Sequence, residues 1–170
     1  MAKYIKMYTD GSARKNPNGP GGYGVVVHYI NKKNEIKKVE EFTGGFKLTT
    51  NNRMEMMAVI VGLESLNKKY DVTIVSDSKY VVNAINEGWL ENWEKNDWIG
   101  SNKKPVKNRD LWMRLRRIMN RHNVKFEWIR GHAGHKENER CDYLATRSSL
   151  GIELIKGEDG LYKEVENENK

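Results

Sequence analysis

Asp10, Glu55, Asp77 and Asp142 are the acids of this chain whose settings could support chemistry. Asp10 closes a run of strand-forming residues that begins at Tyr4, and Gly11 follows it, so the pattern predicts a strand that stops at the acid. Asp77 stands in the same relation to Val72-Thr73-Ile74-Val75-Ser76. An acid at the carboxyl end of a central strand is held rigidly and faces a crevice. Plainer readings exist for two of them. Asp10 before a glycine could simply start a turn, and Glu55, three residues after Asn52, could close a capping box at a helix N-terminus. Asp142 lies on a late helical stretch behind the loop Gly131-His132-Ala133-Gly134-His135. Gathered in one place, such acids repel: two unit charges ~4 Å apart cost about 4 kcal/mol at an effective dielectric near 20. A patch of this kind either protonates or holds cations. Oxygen-only ligation selects hard ions such as Mg²⁺ or Mn²⁺ over Zn²⁺. Two ions roughly 3.5–4 Å apart stabilise both the attacking and the leaving oxygen of a phosphoryl transfer.

The elements that must position these acids can be read from the periodicity. Residues 13–22 are rich in Gly, Pro and Asn and read as a loop; residues 23–30 and 36–42 read as strands joined by a turn at 31–34. Three consecutive strands with short connections imply an antiparallel meander. A helix follows, running to about residue 66, with Met56, Val59, Ile60 and Leu63 as its inward stripe. The strand ending before Asp77 comes next, and Ser78 is placed to cap the helix after it. Strand, helix, strand suggests a parallel pairing with the first strand, which would bring Asp10 and Asp77 close together. Further helices are expected at 108–121 and 137–149, with a last strand at 124–130.

Composition limits the partners. The chain has 170 residues, a formal net charge of +7 and one cysteine, Cys141. Its basicity points to an anionic partner, nucleic acid before membrane. A lone cysteine excludes an intramolecular disulfide and suits a reducing compartment. No apolar run approaches the ~20 residues that span a bilayer. These features lead to the expectation of a soluble cytoplasmic monomer with no membrane association. Residues 87–125 hold ten Lys or Arg against five Asp or Glu, with Trp89, Trp93 and Trp98 among them. Aromatics interleaved with cations can stack on bases or sugars while neutralising phosphates; equally, the Trp side chains could be core and the Lys a solvated face. From residue 151 on there are six acids, three lysines and little apolar periodicity. The expected organisation is one domain over 1–150 and an acidic, weakly packed tail over 151–170.

Four motifs, Tyr8-Thr9-Asp10-Gly11-Ser12, Thr50-Asn51-Asn52-Arg53-Met54-Glu55, Ser76-Asp77-Ser78 and Gly131-His132-Ala133-Gly134-His135 with Glu137 to Asp142, occur here in the order and spacing of one known family. The sequence resembles the bacterial-type ribonucleases H1, enzymes that cut RNA paired to DNA, from about residue 3 to 150. The resemblance implies an α/β ribonuclease H-like fold, a five-stranded mixed sheet flanked by helices, with a basic handle protruding from it. It implies that Asp10, Glu55, Asp77 and Asp142 bind two Mg²⁺ ions, Mn²⁺ being a possible substitute. Asp10 would bridge the two ions, Glu55 and Asp77 complete one shell, and Asp142 the other. It further implies hydrolysis of the RNA strand of RNA–DNA hybrids with 5′-phosphate and 3′-hydroxyl products, and a proton-shuttling or product-releasing role for His132. Asn16, Asn51 and Asn52 become candidates for contacts with the RNA strand. Thr50 and Asn108 match a pocket for a DNA phosphate, and Trp89 and Trp93 a channel for the DNA strand. Lys79 stands where many relatives carry Gln, and Leu48 where a basic residue is common. A recombinase-type nuclease on the same fold and a non-catalytic hybrid-binding module are the competing readings. The first lacks the DNA-binding domains it would need, and the second would require one of the four acids to be replaced.

Overall fold

The computed structural model describes residues 2–14, 19–131 and 134–149. Five strands form one sheet in the order β3-β2-β1-β4-β5: β1 (Tyr4–Ala13), β2 (Gly19–Ile30), β3 (Ile36–Thr49), β4 (Asp71–Ser76) and β5 (Asn123–Trp128). The first three make the expected antiparallel meander, and β4 pairs in parallel with both β1 and β5. The helices are α1 (Asn51–Glu64), α2 (Lys79–Asn86), α3 (Trp89–Lys95), α4 (Arg109–Met119) and α5 (Lys136–Ser149). No helix among the described residues is long and apolar enough to cross a membrane.

Alternation along β1 sorts its side chains between two layers. Ile5 and Met7 join the main core, where α1 lies over the sheet; Tyr8 packs on the other side against Val26, Cys141 and Leu144. The inward stripe expected of α1 is too narrow a description. Met54, Met56, Met57, Ala58, Val59, Ile60 and Leu63 are all buried, because α1 is enclosed by β1 and β2 on one side and α4 on the other.

The first strand departs from expectation in a way that matters. It does not stop at Asp10 but continues through Gly11 and Ser12 to Ala13, and β2 begins at Gly19 rather than at 23. The glycines explain the extension. Asp10, Ser12 and Ala13 sit opposite Gly24, Gly22 and Gly21 of β2, where missing side chains leave room for helices on both faces. A Cβ on Gly24 would fall 2.3 Å from the Cys141 carbonyl oxygen, so α5 rests directly on that backbone. Turn-forming residues thus serve a long-range ladder whose value is invisible locally.

Candidate active site

Asp10 is held inside the central strand, 7% exposed, with its Oδ1 accepting the Gly11 N–H at 2.9 Å. Glu55 reaches it because α1 lies against β1 at that point. A Cβ on Gly11 would fall 2.3 Å from the Met54 carbonyl carbon and 2.4 Å from the Glu55 nitrogen, so only glycine allows the approach. The helix start is fixed by Thr50, whose side-chain oxygen accepts the Arg53 N–H at 3.2 Å. The cap pairs Thr50 with Arg53, so the capping-box reading of Glu55 does not hold and its carboxylate is left for other work. Asp77 follows the last residue of β4 directly, before Ser78, which caps α2 as expected by accepting the Val81 N–H.

Asp10, Glu55 and Asp77 each bring one carboxylate oxygen to within 4.8 Å of the others. Burial, then the charges of Asp77 and Asp142, push Asp10 up to about 7. Burial and the charges of Asp10 and Asp77 hold the Glu55 carboxyl well above the usual range. Asp142 lies outside the 4.8 Å group but near enough for its charge to act on Asp10. Its helix is anchored by Arg140, which grips Glu41 of β3 through two bonds of 2.7 and 2.8 Å, and by Cys141, whose thiol donates to the Tyr8 carbonyl at 3.2 Å.

This arrangement fits a hard divalent cation. The donors are all carboxylate oxygens from three separate elements, and among the described residues no Lys or Arg pairs with Asp10 or Glu55. Glu55 Oε1 is sealed from solvent and no donor reaches it. Such an orphan is costly unless something absent from the protein alone satisfies it.

The other anticipated residues divide into groups. Asn16 and His132 lie outside the described residues. Asn51 accepts the Ala13 N–H with its Oδ1, tying α1 to the end of β1, and Asn52 is half-buried beside it. Trp89 opens α3 and is 40% exposed, whereas Trp93 packs at a tilt against the buried Trp112, with ring centroids 5.5 Å apart and the planes at 54°. Asn108 is buried, its amide donating to the Tyr80 hydroxyl at 2.9 Å and its Oδ1 accepting from Arg53 at 3.2 Å. Sequence reasoning overlooked Arg53 itself. It is fully buried and grips Asp110 through bonds of 3.0 and 2.8 Å. A single cation inside the apolar run of α1 was the signal that could have marked it.

The family model for RNase H matches residues 2–149. The chain belongs to the ribonuclease H family. It is similar to the ribonuclease H of Lachnoclostridium phytofermentans, 54% identical over 150 residues that make up 88% of this chain and 94% of that protein. It is likewise similar to that of Serratia proteamaculans, 54% identical over 146 residues covering 85% of this chain and 88% of the other. Among solved structures, LC9-RNase H1, described as a type 1 RNase H with the type 2 active-site motif, matches with a TM-score of 0.78 and 27% identity over 96% of this chain and 81% of that one. LC11-RNase H1, solved in complex with an RNA/DNA hybrid, matches with a TM-score of 0.62 and 25% identity over 86% of this chain and 96% of that one. Ribonuclease H chemistry depends on divalent metal ions, in keeping with the acid cluster.

Proposed function

We propose that this protein is an endonuclease that hydrolyses the RNA strand of RNA–DNA hybrids, leaving 5′-phosphate and 3′-hydroxyl ends. The observation that carries the reading is the convergence of Asp10, Glu55 and Asp77 into one cation-seeking group. Family membership, and a hybrid-bound relative of the same fold, support the choice of substrate.

Asp10, Glu55 and Asp77, with Asp142 beside them, would hold Mg²⁺, for which Mn²⁺ could substitute. When bound, such cations supply Lewis-acid stabilisation of the attacking and leaving oxygens of the phosphodiester. Asp10 feels the charges of both Asp77 and Asp142, which supports its place as the shared ligand. His132 would move a proton or ease product departure, a task to which imidazole chemistry is suited. Asn16, Asn51 and Asn52 would meet the RNA strand in the minor groove, where the 2′-hydroxyl tells RNA from DNA. Thr50 accepts a hydrogen bond as the α1 cap, which leaves its hydroxyl proton free to donate to a DNA phosphate. Asn108, immediately before α4, would contribute to the same phosphate pocket, held there by the bond its Oδ1 accepts from Arg53 and the one its amide donates to Tyr80.

The DNA strand would run along Trp89 and Trp93 and the basic handle. The handle would be the basic segment after Trp93, from the end of α3 through the tightly turned stretch beyond it, in which Ile99 bridges Pro105 and Lys95, Lys103, Lys104 and Lys107 are exposed. Its charges would strengthen binding in a salt-dependent, sequence-independent way. The family match over 2–149 supports reading 1–150 as the catalytic unit and 151–170 as an appendage to it. A cluster drawn from one chain supports action as a monomer, and a single unpaired cysteine supports a cytoplasmic setting.

The test is incubation with Mg²⁺ and labelled RNA–DNA hybrid, RNA duplex, DNA duplex and single strands, each with an EDTA control. Cleavage confined to the RNA of the hybrid and abolished by EDTA is expected. Hybrid binding without cleavage, or equal cutting of the DNA duplex, would overturn the reading.

A further inference from the structure

Asp77 is the least supported member of the acid group. Asp10 sits in a strand ladder and Glu55 on a helix, but Asp77 lies on the bend between β4 and α2, beyond the last β4–β5 and β1–β4 pairs. Mutual repulsion among close carboxylates acts to swing the least tethered one away. Three contacts from the end of β5 and the residues just after it, a segment that carries none of the four acids, oppose that movement. The Ile129 N–H donates to the Ser76 carbonyl at 3.0 Å. The Trp128 indole N–H donates to the Asp77 carbonyl at 3.1 Å. The backbone at Gly131 lies so near the carboxylate that a Cβ there would fall 2.7 Å from Asp77 Oδ2.

Trp128 is the unusual one. It is the last residue of β5, opposite Ser76, and it remains 43% exposed. Its side chain therefore does less than a core tryptophan for packing, while its one polar atom is aimed at the peptide unit of a candidate metal ligand. The Lys79 ammonium stands 5.1 Å from the centroid of its ring, a cation–π contact that holds the indole in place. Lys79 is itself two residues beyond Asp77, so acid, lysine and indole form a closed local unit.

We propose that Trp128 is a positioning residue for cation binding: its indole N–H fixes the backbone of Asp77 and so keeps that carboxylate facing Asp10 and Glu55. The inference rests on the reading of these acids as the metal-binding set. Removing the donor leaves the ligands present but less often in register. Cation affinity and turnover then fall together, while the grip on the hybrid, made elsewhere, is retained.

The experiment compares the wild type with Trp128→Phe and with a protein carrying 3-benzothienylalanine at 128, which keeps the ring shape and loses only the N–H. Two quantities are read: the Mg²⁺ concentration giving half of the maximal rise in melting temperature without nucleic acid, and kcat and KM on a hybrid at fixed Mg²⁺. The expected result for both variants is a half-saturation raised about 10-fold, kcat lowered about 10-fold and KM within about 2-fold of wild type, at the lower end of the range typical for residues that orient metal ligands. Variants matching wild type in half-saturation and kcat overturn the proposal, as does a change confined to KM. If Trp128→Phe fails to melt cooperatively, the isosteric variant decides alone. A wild type whose melting temperature does not respond to Mg²⁺ or Mn²⁺ would instead refute the metal-binding reading itself.

Discussion

Arg53 and Glu55 are two residues apart on the first turns of α1, and the protein treats their charges in opposite ways. The Arg53 guanidinium is fully buried and satisfied by Asp110 and by Asn108, which passes the network on to Tyr80. Glu55 is crowded by Asp10 and Asp77, and one of its oxygens has no partner. The first arrangement ties α1 to α4 and specifies how they pack; the second stores an unmet demand that a cation would answer. Burial alone therefore does not identify a working charge. The absence of internal compensation does.

This contrast can be broken at several points. Asp77→Asn removes a candidate ligand and should lower hybrid cleavage by more than about 100-fold, beyond the loss expected for a residue that merely orients a ligand. Circular dichroism and hybrid binding should remain near wild type, and near-normal turnover would count against the metal role. Arg53→Met attacks the satisfied network instead. It leaves Asp110 without its cation and should cost about 3 kcal/mol in urea unfolding, the lower end for a broken buried pair because Asp110 is partly exposed.

Asp10→Asn should act in the other direction on the metal-free protein. Asp10 is raised from about 3.8 to about 7 in the folded state, so folding holds its proton more tightly than the unfolded chain does. The stability this lends is complete below pH ~4 and is lost as pH rises toward 7. In EDTA at pH 8 the variant should be more stable by on the order of 1–3 kcal/mol, and at pH 4 the difference should vanish. Melting curves at the two pH values, repeated with Mg²⁺, check both the sign and its reversal by metal. The smallest effect is expected for Thr50→Ala, which loses the α1 cap at about 1 kcal/mol of unfolding free energy. A larger loss of activity than of stability in that variant would favour a phosphate contact for the Thr50 hydroxyl.

Much of this was legible in the chain. Runs of β-branched and aromatic residues between turn signals, and alternation in the last of them, located all five strands; Ser78 was recognisable as a cap, and the parallel approach of the strands bearing Asp10 and Asp77 followed from the connection between them. The readings that failed share one cause. Asp10-Gly11 and the glycines from 19 to 24 have local turn preferences, yet they form strands because β1 and β2 need backbone without side chains where α1 and α5 press on them. Arg53 was overlooked for the same reason: its partners Asn108 and Asp110 lie 55 and 57 residues away, and nothing near it in sequence announced them.

Taken alone, the order of residues determined which groups could bind a hard cation, because carboxylate chemistry belongs to residue type and survives any conformation. It also determined where the centres of the strands lie, because those residue preferences are local, but not how far β1 and β2 extend. Tertiary structure decided which acids meet, how closely, and at what cost in protonation. Distance and desolvation depend on which backbones can touch, and at Gly11 that contact is made between segments more than forty residues apart.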